Sequence, residues 1–261
     1  MFTLKNSCFA KSLRVLGVVA LLLWQNMAAH AEPLTVAVAA NVKYAFDDLA
    51  VEFKKESGIE MQGVFGSSGK LTAQIKSGAP FDVFLSADMT YPDSLYKDGL
   101  TEAAPKVYAK GVLVLWTMNQ LDLGKGMQVL NDPAVKKIAV ANSQLAPYGR
   151  EAINALEHFK LRSTVGPKLV YGESISQVNQ YIDSKSADIG FTAKSVVLAP
   201  ELSGKGTWIE VPRDSYQPIA QGAVILRYGI LTNSRAAHQF MEFLSSPEAR
   251  GILEKYGYLL P

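Results

Sequence analysis

Cysteine is nearly absent from this chain of 261 residues: there is one, Cys8. It lies in an N-terminal stretch that carries Lys5, Lys11 and Arg14 and no acid. An apolar run over residues 15–24 follows, and then the small-x-small sequence Ala29-His30-Ala31, which is the layout of a secretory signal peptide. The apolar run is too short to cross ~30 Å of hydrocarbon, so cleavage after Ala31 is expected rather than anchoring, with export to an envelope compartment. From Glu32 onward there is no thiol, which excludes disulfides, a cysteine nucleophile and cysteine-ligated zinc or iron–sulfur clusters. Histidine is almost as scarce: His158 and His238 remain, each inside a helical pattern. An excess of either charge is missing too, with 26 basic and 24 acidic residues, and loss of the leader brings the net charge to about −1. That balance gives no electrostatic footprint for nucleic acid or an anionic membrane. What is present is ordinary core material, 48% apolar and 10% aromatic, which excludes disorder as the main character.

Short β-rich runs alternate with helical patterns from residue 32 onward, which predicts an α/β protein. Residues 34–40 read as a buried strand. Val42, Ala45, Phe46, Leu49, Ala50 and Phe53 then form a helical stripe that ends at Gly58. Strands are expected over 60–65 and 82–86, with a turn at Gly66-Ser67-Ser68-Gly69 and a short helix over 71–75 between them. Residues 107–118 read as one long apolar strand, long enough to leave one lobe and enter another. A second set follows: strand 137–141, helix 150–159, strand 168–171, helix 175–182 and strand 188–192. Residues 207–227 read as a crossing back, interrupted at Pro212 and Pro218, and 234–256 as a helical region broken at Ser246-Pro247. The pattern predicts two lobes, each a mainly parallel sheet flanked by helices, joined by two crossover strands. Lobe 1 takes 32–112 and 208–261, and lobe 2 takes 113–207. One doubly wound domain is the competing topology, but about 230 residues exceed the usual domain of ~100 to 150.

In open α/β lobes, ligands bind beyond the carboxyl ends of the strands, where helix N-termini present unpaired N–H groups. Four turns qualify: Ala39-Ala40-Asn41, Gly66-Ser67-Ser68-Gly69, Ala146-Pro147-Tyr148-Gly149 and Glu173-Ser174-Ile175-Ser176. Taken singly each is a plain cap, with Asn41 and Ser68 as N-cap types and Ser174 with Gln177 as a capping box. Taken together they aim four helix N-termini into one cleft, and the chemistry they share is donation to an anion. Neutral donors hold a fully deprotonated oxyanion, whereas a monoprotonated phosphate needs a carboxylate to accept its hydrogen. The turns hold one carboxylate, Glu173, which is expected to face away. Lys43, Lys70 and Arg150 fall one or two positions into the helices and read as solvated first-turn charges.

At these turns the chain resembles the periplasmic molybdate-binding proteins that feed ABC-type molybdate importers. The likeness runs through LTVAVAANVKYAFDDLAVEFKKESGIE, FGSSGKLTAQIKSGAPFDVFLSAD, LAPYGREAINAL, YGESISQVNQYI with ADIGFTAKS, and FMEFLSSPEARGILEKYGY. It covers essentially all of residues 32–261, and FGSSGKL with GAPFDVFLSAD at this spacing is specific. The resemblance implies the two-lobed type II binding-protein fold, with molybdate, and usually tungstate, held in the interlobe cleft by neutral hydroxyl and backbone donors. Position by position it implies Asn41, Ser68 through hydroxyl and N–H, the backbone N–H of Ala87, Tyr148, and the backbone N–H of Ile175. It further implies a periplasmic carrier, a permease partner, a monomer, no cofactor and no free metal cation, the molybdenum arriving as its oxyanion. One position departs: members with the best-known pattern bring a Tyr hydroxyl after ADIG, where this chain has Ala193. Tyr148, where a small residue is commoner, is expected to replace that phenol from the other side, as in a subgroup with this Asn and Tyr combination.

Rival readings stay open at this point. For an enzyme, neither histidine is near the turns, Gly66-Ser67-Ser68-Gly69 is not a Gly-x-Ser-x-Gly elbow, and Asp47-Asp48 sits on a solvated helix face. A ferric-ion carrier needs more Tyr, His or carboxylate ligands than Tyr148 alone. A carrier of sulfate or thiosulfate is the alternative, since sulfate shares the charge and tetrahedral shape of molybdate.

Overall fold

The computed structural model describes residues 32–261, so Cys8 and the expected leader lie outside the described residues. Strand β1 (Leu34–Ala39) is buried along nearly its whole length, as a central parallel strand covered on both faces should be. A single 3-10 turn, Ala40–Val42, leads into helix α1 (Lys43–Ser57). Its buried face is Ala45, Phe46, Leu49 and Phe53, and it stops at Gly58, whose φ of 75° closes the last turn with an N–H bond to the Lys54 carbonyl. Then come β2 (Met61–Gly66), α2 (Ser68–Lys76), β3 (Val83–Ser86), α3 (Thr90–Lys97) and β4 (Lys106–Gly111). Helix α3 is not among the expected elements; its Pro92 lies in the first turn, where a missing N–H costs no helical bond.

The expected long strand over 107–118 is two strands in two sheets. β4 ends at Gly111 and β5 (Leu113–Thr117) begins one residue later, with Val112 alone between them. The chain continues through β6 (Ile138–Ala141), α4 (Pro147–His158), α5 (Arg162–Val165), β7 (Leu169–Gly172), α6 (Ile175–Asp183), β8 (Ile189–Ala193), α7 (Lys194–Val197) and β9 (Thr207–Glu210). It crosses back over residues 211–218 to β10 (Ile219–Ile225) and ends in α8 (Arg227–Thr232), α9 (Ser234–Phe243) and α10 (Pro247–Lys255). Pro212 and Pro218 both lie in this crossing, where a residue without an N–H costs no ladder bond.

Two five-stranded sheets result, ordered β2-β1-β3-β10-β4 and β7-β6-β8-β5-β9. In the first, β1 is parallel to β2 and β3, while β10 runs antiparallel to β3 and β4. In the second, β6 is parallel to β7 and β8, while β5 runs antiparallel to β8 and β9. Each sheet is therefore mixed: four strands share a direction and the crossing strand opposes them. The sheets are mainly parallel as the alternating pattern predicts, and the opposed strand is what a chain entering from the other sheet must be. The C-terminal helices return to the first sheet, where the rings of Phe240, edge-on, and Phe243, tilted, each lie 5.4 Å from that of Phe53, and Leu259 pairs with Lys110 on edge strand β4. Burying such a ring is worth about 1.5–3 kcal/mol, so this return is a structural clamp and not a loose tail. Among the described residues no helix is long and apolar enough to cross a membrane.

Candidate functional site

The carboxyl ends of β1, β2, β3, β6 and β7 converge on one small cavity. Asn41, Ser68, Ala87, Tyr148 and Ile175, five residues from five separate strand ends, all line it. Each of the five is at least 95% buried. The cavity volume is about 10 Å³, room for about one water-sized centre and far below the ~300–1,000 Å³ of pockets for drug-sized ligands, which excludes a large organic occupant. No charged side chain lines it.

Local sequence explains how the donors are presented. The N-cap of α2 is Ser67, whose hydroxyl oxygen accepts from the Lys70 N–H at 3.4 Å. Ser68, expected as a cap type, is instead the first helical residue, so its side chain is free of capping. Its hydroxyl oxygen accepts from the Ala87 N–H at 2.9 Å, which leaves the Ser68 proton for another acceptor. The Ala87 N–H is thereby already engaged. Helix α4 starts with Pro147 directly after Ala146, and α6 starts at Ile175. The first-turn N–H groups of Ser68, Tyr148 and Ile175 have no carbonyl within their own helices. The expected capping box is not made: Ser174 makes no side-chain cap, and Gln177 Oε1 accepts from the N–H of Glu173, one residue before the cap, at 2.7 Å.

Asn41 lies inside the 3-10 turn and both of its side-chain hydrogens are taken. Nδ2 donates to Gln221 Oε1 at 2.9 Å and to the Tyr258 hydroxyl oxygen at 3.0 Å. The Asn41 carbonyl accepts from Ser195 Oγ at 2.7 Å and from the Tyr258 hydroxyl at 2.9 Å. Tyr148 is the opposite case. Its hydroxyl is buried with no hydrogen-bond partner in the protein. Burial pushes the phenol well above its ordinary pKa, with Tyr258, Tyr108 and Tyr216 adding to the rise and the Gln221 amide pulling slightly the other way. The phenol oxygen rests on Gly111, where any Cβ would overlap it.

The three flanking cations do not line the cavity. Lys70 pairs with Glu173 at 2.7 Å with both side chains about half exposed, and Glu173 is thus turned to a lysine outside the cavity. Arg150 reaches Asp88 at 2.9 Å and Glu151 at 3.0 Å. Lys43 lies over the ring of Tyr44, 5.7 Å from its centroid. The Lys70 and Arg150 pairs both tie the first sheet's side of the cleft to the second's. So do two backbone-directed bonds, Gly69 N–H to the Leu145 carbonyl and the Tyr91 hydroxyl to the Gln144 carbonyl, each 2.9 Å. Gly69 permits this approach, since a Cβ there would lie 2.8 Å from the Tyr91 hydroxyl and 3.0 Å from Leu145 backbone atoms.

Ala193 ends β8 fully buried, and two residues on Ser195 supplies the bond to Asn41. Gln221, Tyr258 and Ser195 were missed by sequence reading. Gln221 sits in an apolar strand, and its partner Asn41 is 180 positions away, so no local signal marks it. Among the described residues no group of three or more His, Cys, Asp or Glu could hold a metal ion.

Two α/β halves meeting at their strand ends over a small, uncharged, donor-lined cavity define a binder of small solutes. Residues 34–259 match the bacterial extracellular solute-binding proteins, and the chain belongs to that family. Among its relatives, the molybdate-binding protein ModA of Azotobacter vinelandii is 40% identical over 233 residues, which cover 88% of this chain and 91% of that protein. ModA of Rhodobacter capsulatus is 37% identical over 255 residues, 96% of this chain and 98% of that protein. The solved periplasmic molybdate-binding protein of Azotobacter vinelandii superposes with a TM-score of 0.81 at 33% identity, covering 87% of this chain and 99% of that one.

Proposed function

We propose that this chain captures molybdate, and tungstate by the same donors, in the cavity beneath Asn41, Ser68, Ala87, Tyr148 and Ile175, and delivers it to the permease of an ABC importer. The observation that carries the reading is the convergence of those five buried, uncharged residues on one small cavity. The Ser68 hydroxyl, the Tyr148 hydroxyl and the first-turn N–H groups of three helices supply protons to a dianion. The Asn41 side chain and the Ala87 N–H, engaged inside the protein, act by holding the turn and the Ser68 oxygen in place. The lining holds no carboxylate to accept a ligand proton, which favours the fully deprotonated tetrahedral oxyanion over monoprotonated phosphate.

The chain acts as a monomeric carrier in the periplasm and not as a catalyst. Its moving bodies are the two lobes, read from the sequence as 32–112 with 208–261 and 113–207, with residues 208–210 moved to the second by their pairing. Since Thr207–Glu210 pairs with β5, the second crossing is set just beyond it, over residues 211–218. Val112 and that crossing form the hinge, and closure excludes water from the anion, which strengthens each contact to it.

Calorimetric titration of residues 32–261 with molybdate, tungstate, sulfate and phosphate in one buffer tests this. One-to-one heats with molybdate and tungstate and none with sulfate or phosphate are expected. Equal sulfate binding, or no response to molybdate, ends the molybdate reading.

A further inference from the structure

Gln221 is fully buried on β10, beside edge strand β4, and does not line the cavity, yet it reaches two of the residues that do, Asn41 and Ala87. Its Oε1 accepts from Asn41 Nδ2 at 2.9 Å. Its Nε2 faces the Ala87 carbonyl at 3.5 Å and the Ile219 carbonyl at 3.4 Å. The same Nε2 and the Tyr148 phenol oxygen both crowd the Cα of Gly111, where an added Cβ would meet them. The backbone is adapted to this. Gln221 pairs with Ala109 and Gly222 with Val107, so Tyr108 is an extra residue on β4 and the strand is bulged at the glutamine. A bulge re-aims the neighbouring side chain.

The amide orientation follows from its partners. One end receives the Asn41 hydrogen and the other faces two carbonyls, so the oxygen points to Asn41 and the two N–H groups point to Ala87 and Ile219, with the nitrogen on the side of Gly111 where the phenol rests. The amide nitrogen, which cannot accept, is the Gln221 atom beside Gly111, so the Tyr148 hydroxyl has no acceptor in Gln221 and its proton is left for the cavity. We propose that Gln221 is a positioning residue of the anion site, acting from outside the cavity to fix the Asn41 turn and to direct the Tyr148 proton toward the ligand. The inference rests on the functional reading above.

The test is molybdate titration of the wild type, Gln221→Glu and Gln221→Met at two pH values, with thermal unfolding of each ligand-free protein alongside. A buried glutamate titrates in the range of pH ~6 to ~8.5. Protonated, it keeps an acceptor for Asn41 and an O–H for the far carbonyls; ionised, it donates nothing and sets a charge beside a dianion. The expected result is Gln221→Glu binding within about threefold of wild type near pH ~6 and about tenfold weaker near pH ~8.5, the wild type staying level. Gln221→Met, which removes the hydrogen bonds without a charge, is expected to bind about tenfold or more weakly at both. Gln221→Glu tracking the wild type across pH, or Gln221→Met matching its affinity, overturns the proposal. If Gln221→Glu does not fold, Gln221→Met decides alone. A wild type that ignores molybdate removes the functional reading first, a failure visible before any variant is compared.

Discussion

The two halves of the molecule share one plan and bring different things to the cleft. Their sheets have the same strand order and the same single opposed strand. Around the cavity, the first half arrives with polar groups already bonded to one another: Ala87 to Ser68, Asn41 to Gln221 and Tyr258. The second arrives with a buried phenol that has no partner, Tyr148, and with helix starts whose N–H groups are open. An identical fold thus yields a preset cradle on one side and an unsatisfied cover on the other. The unpaired hydroxyl raises the free energy of the closed, ligand-free arrangement, because a buried donor without an acceptor costs about 1–3 kcal/mol. An anion that takes its proton removes that cost.

The contrast can be broken most severely at Ser68. Ser68→Ala removes a hydroxyl donor to the anion and the acceptor of the Ala87 N–H, and molybdate affinity measured by calorimetry should fall by about 3 kcal/mol, with the ligand-free protein losing about 1 kcal/mol in denaturant unfolding. Tyr148→Phe separates the halves further. Affinity should fall by about 1.5–3 kcal/mol, yet the ligand-free protein should be as stable as wild type or slightly more so, since the lost hydroxyl had no partner. A Tyr148→Phe protein that is destabilised to the same degree as Ser68→Ala would remove the asymmetry.

Titration sharpens the comparison from the first half's side. Burial pushes Tyr258 up to about 12, against about 10 in an unfolded chain. Between those values the unfolded state has lost a proton that the folded state keeps, so stability falls as pH rises through that window, by up to about 2–3 kcal/mol, and is unaffected below it. Tyr258→Phe should flatten that part of an alkaline unfolding curve. The smallest effect belongs to the cleft's outer ion pair. Lys70→Ala, which removes the half-exposed pair with Glu173, should change affinity by about 1 kcal/mol or less, and the difference should shrink in high salt.

Much of this was legible in the sequence because strand ends and helix starts are local events. The stripe from Ala45 to Phe53 and its stop at Gly58 came from spacing and one glycine. The five residues around the cavity came from turns of known chemistry together with the family likeness. The division of labour among them did not, because it depends on pairs far apart in the chain. Asn41 reads as a donor to the ligand until Gln221 and Tyr258, 180 and 217 positions away, are seen to hold both of its amide hydrogens. Ser68 reads as a cap until Ser67 is found in that role. The break between β4 and β5 was hidden because, Lys110 and Gly111 apart, Val107 to Trp116 is an apolar run, and such a run does not say at which residue it changes sheets.

The bond from Asn41 to Tyr258 sets an order in time. The turn that closes one wall of the cavity is among the earliest parts of the described chain to be synthesised, and the tyrosine that holds it is among the latest. Contacts between such distant positions form slowly, since the whole intervening chain must be ordered before they pay back its entropy. A chain still emerging from the ribosome, or still threading a translocation pore, therefore has the cradle's residues without the cradle. Capture begins only once the last helix has docked, so the cargo meets a finished carrier and never a folding one.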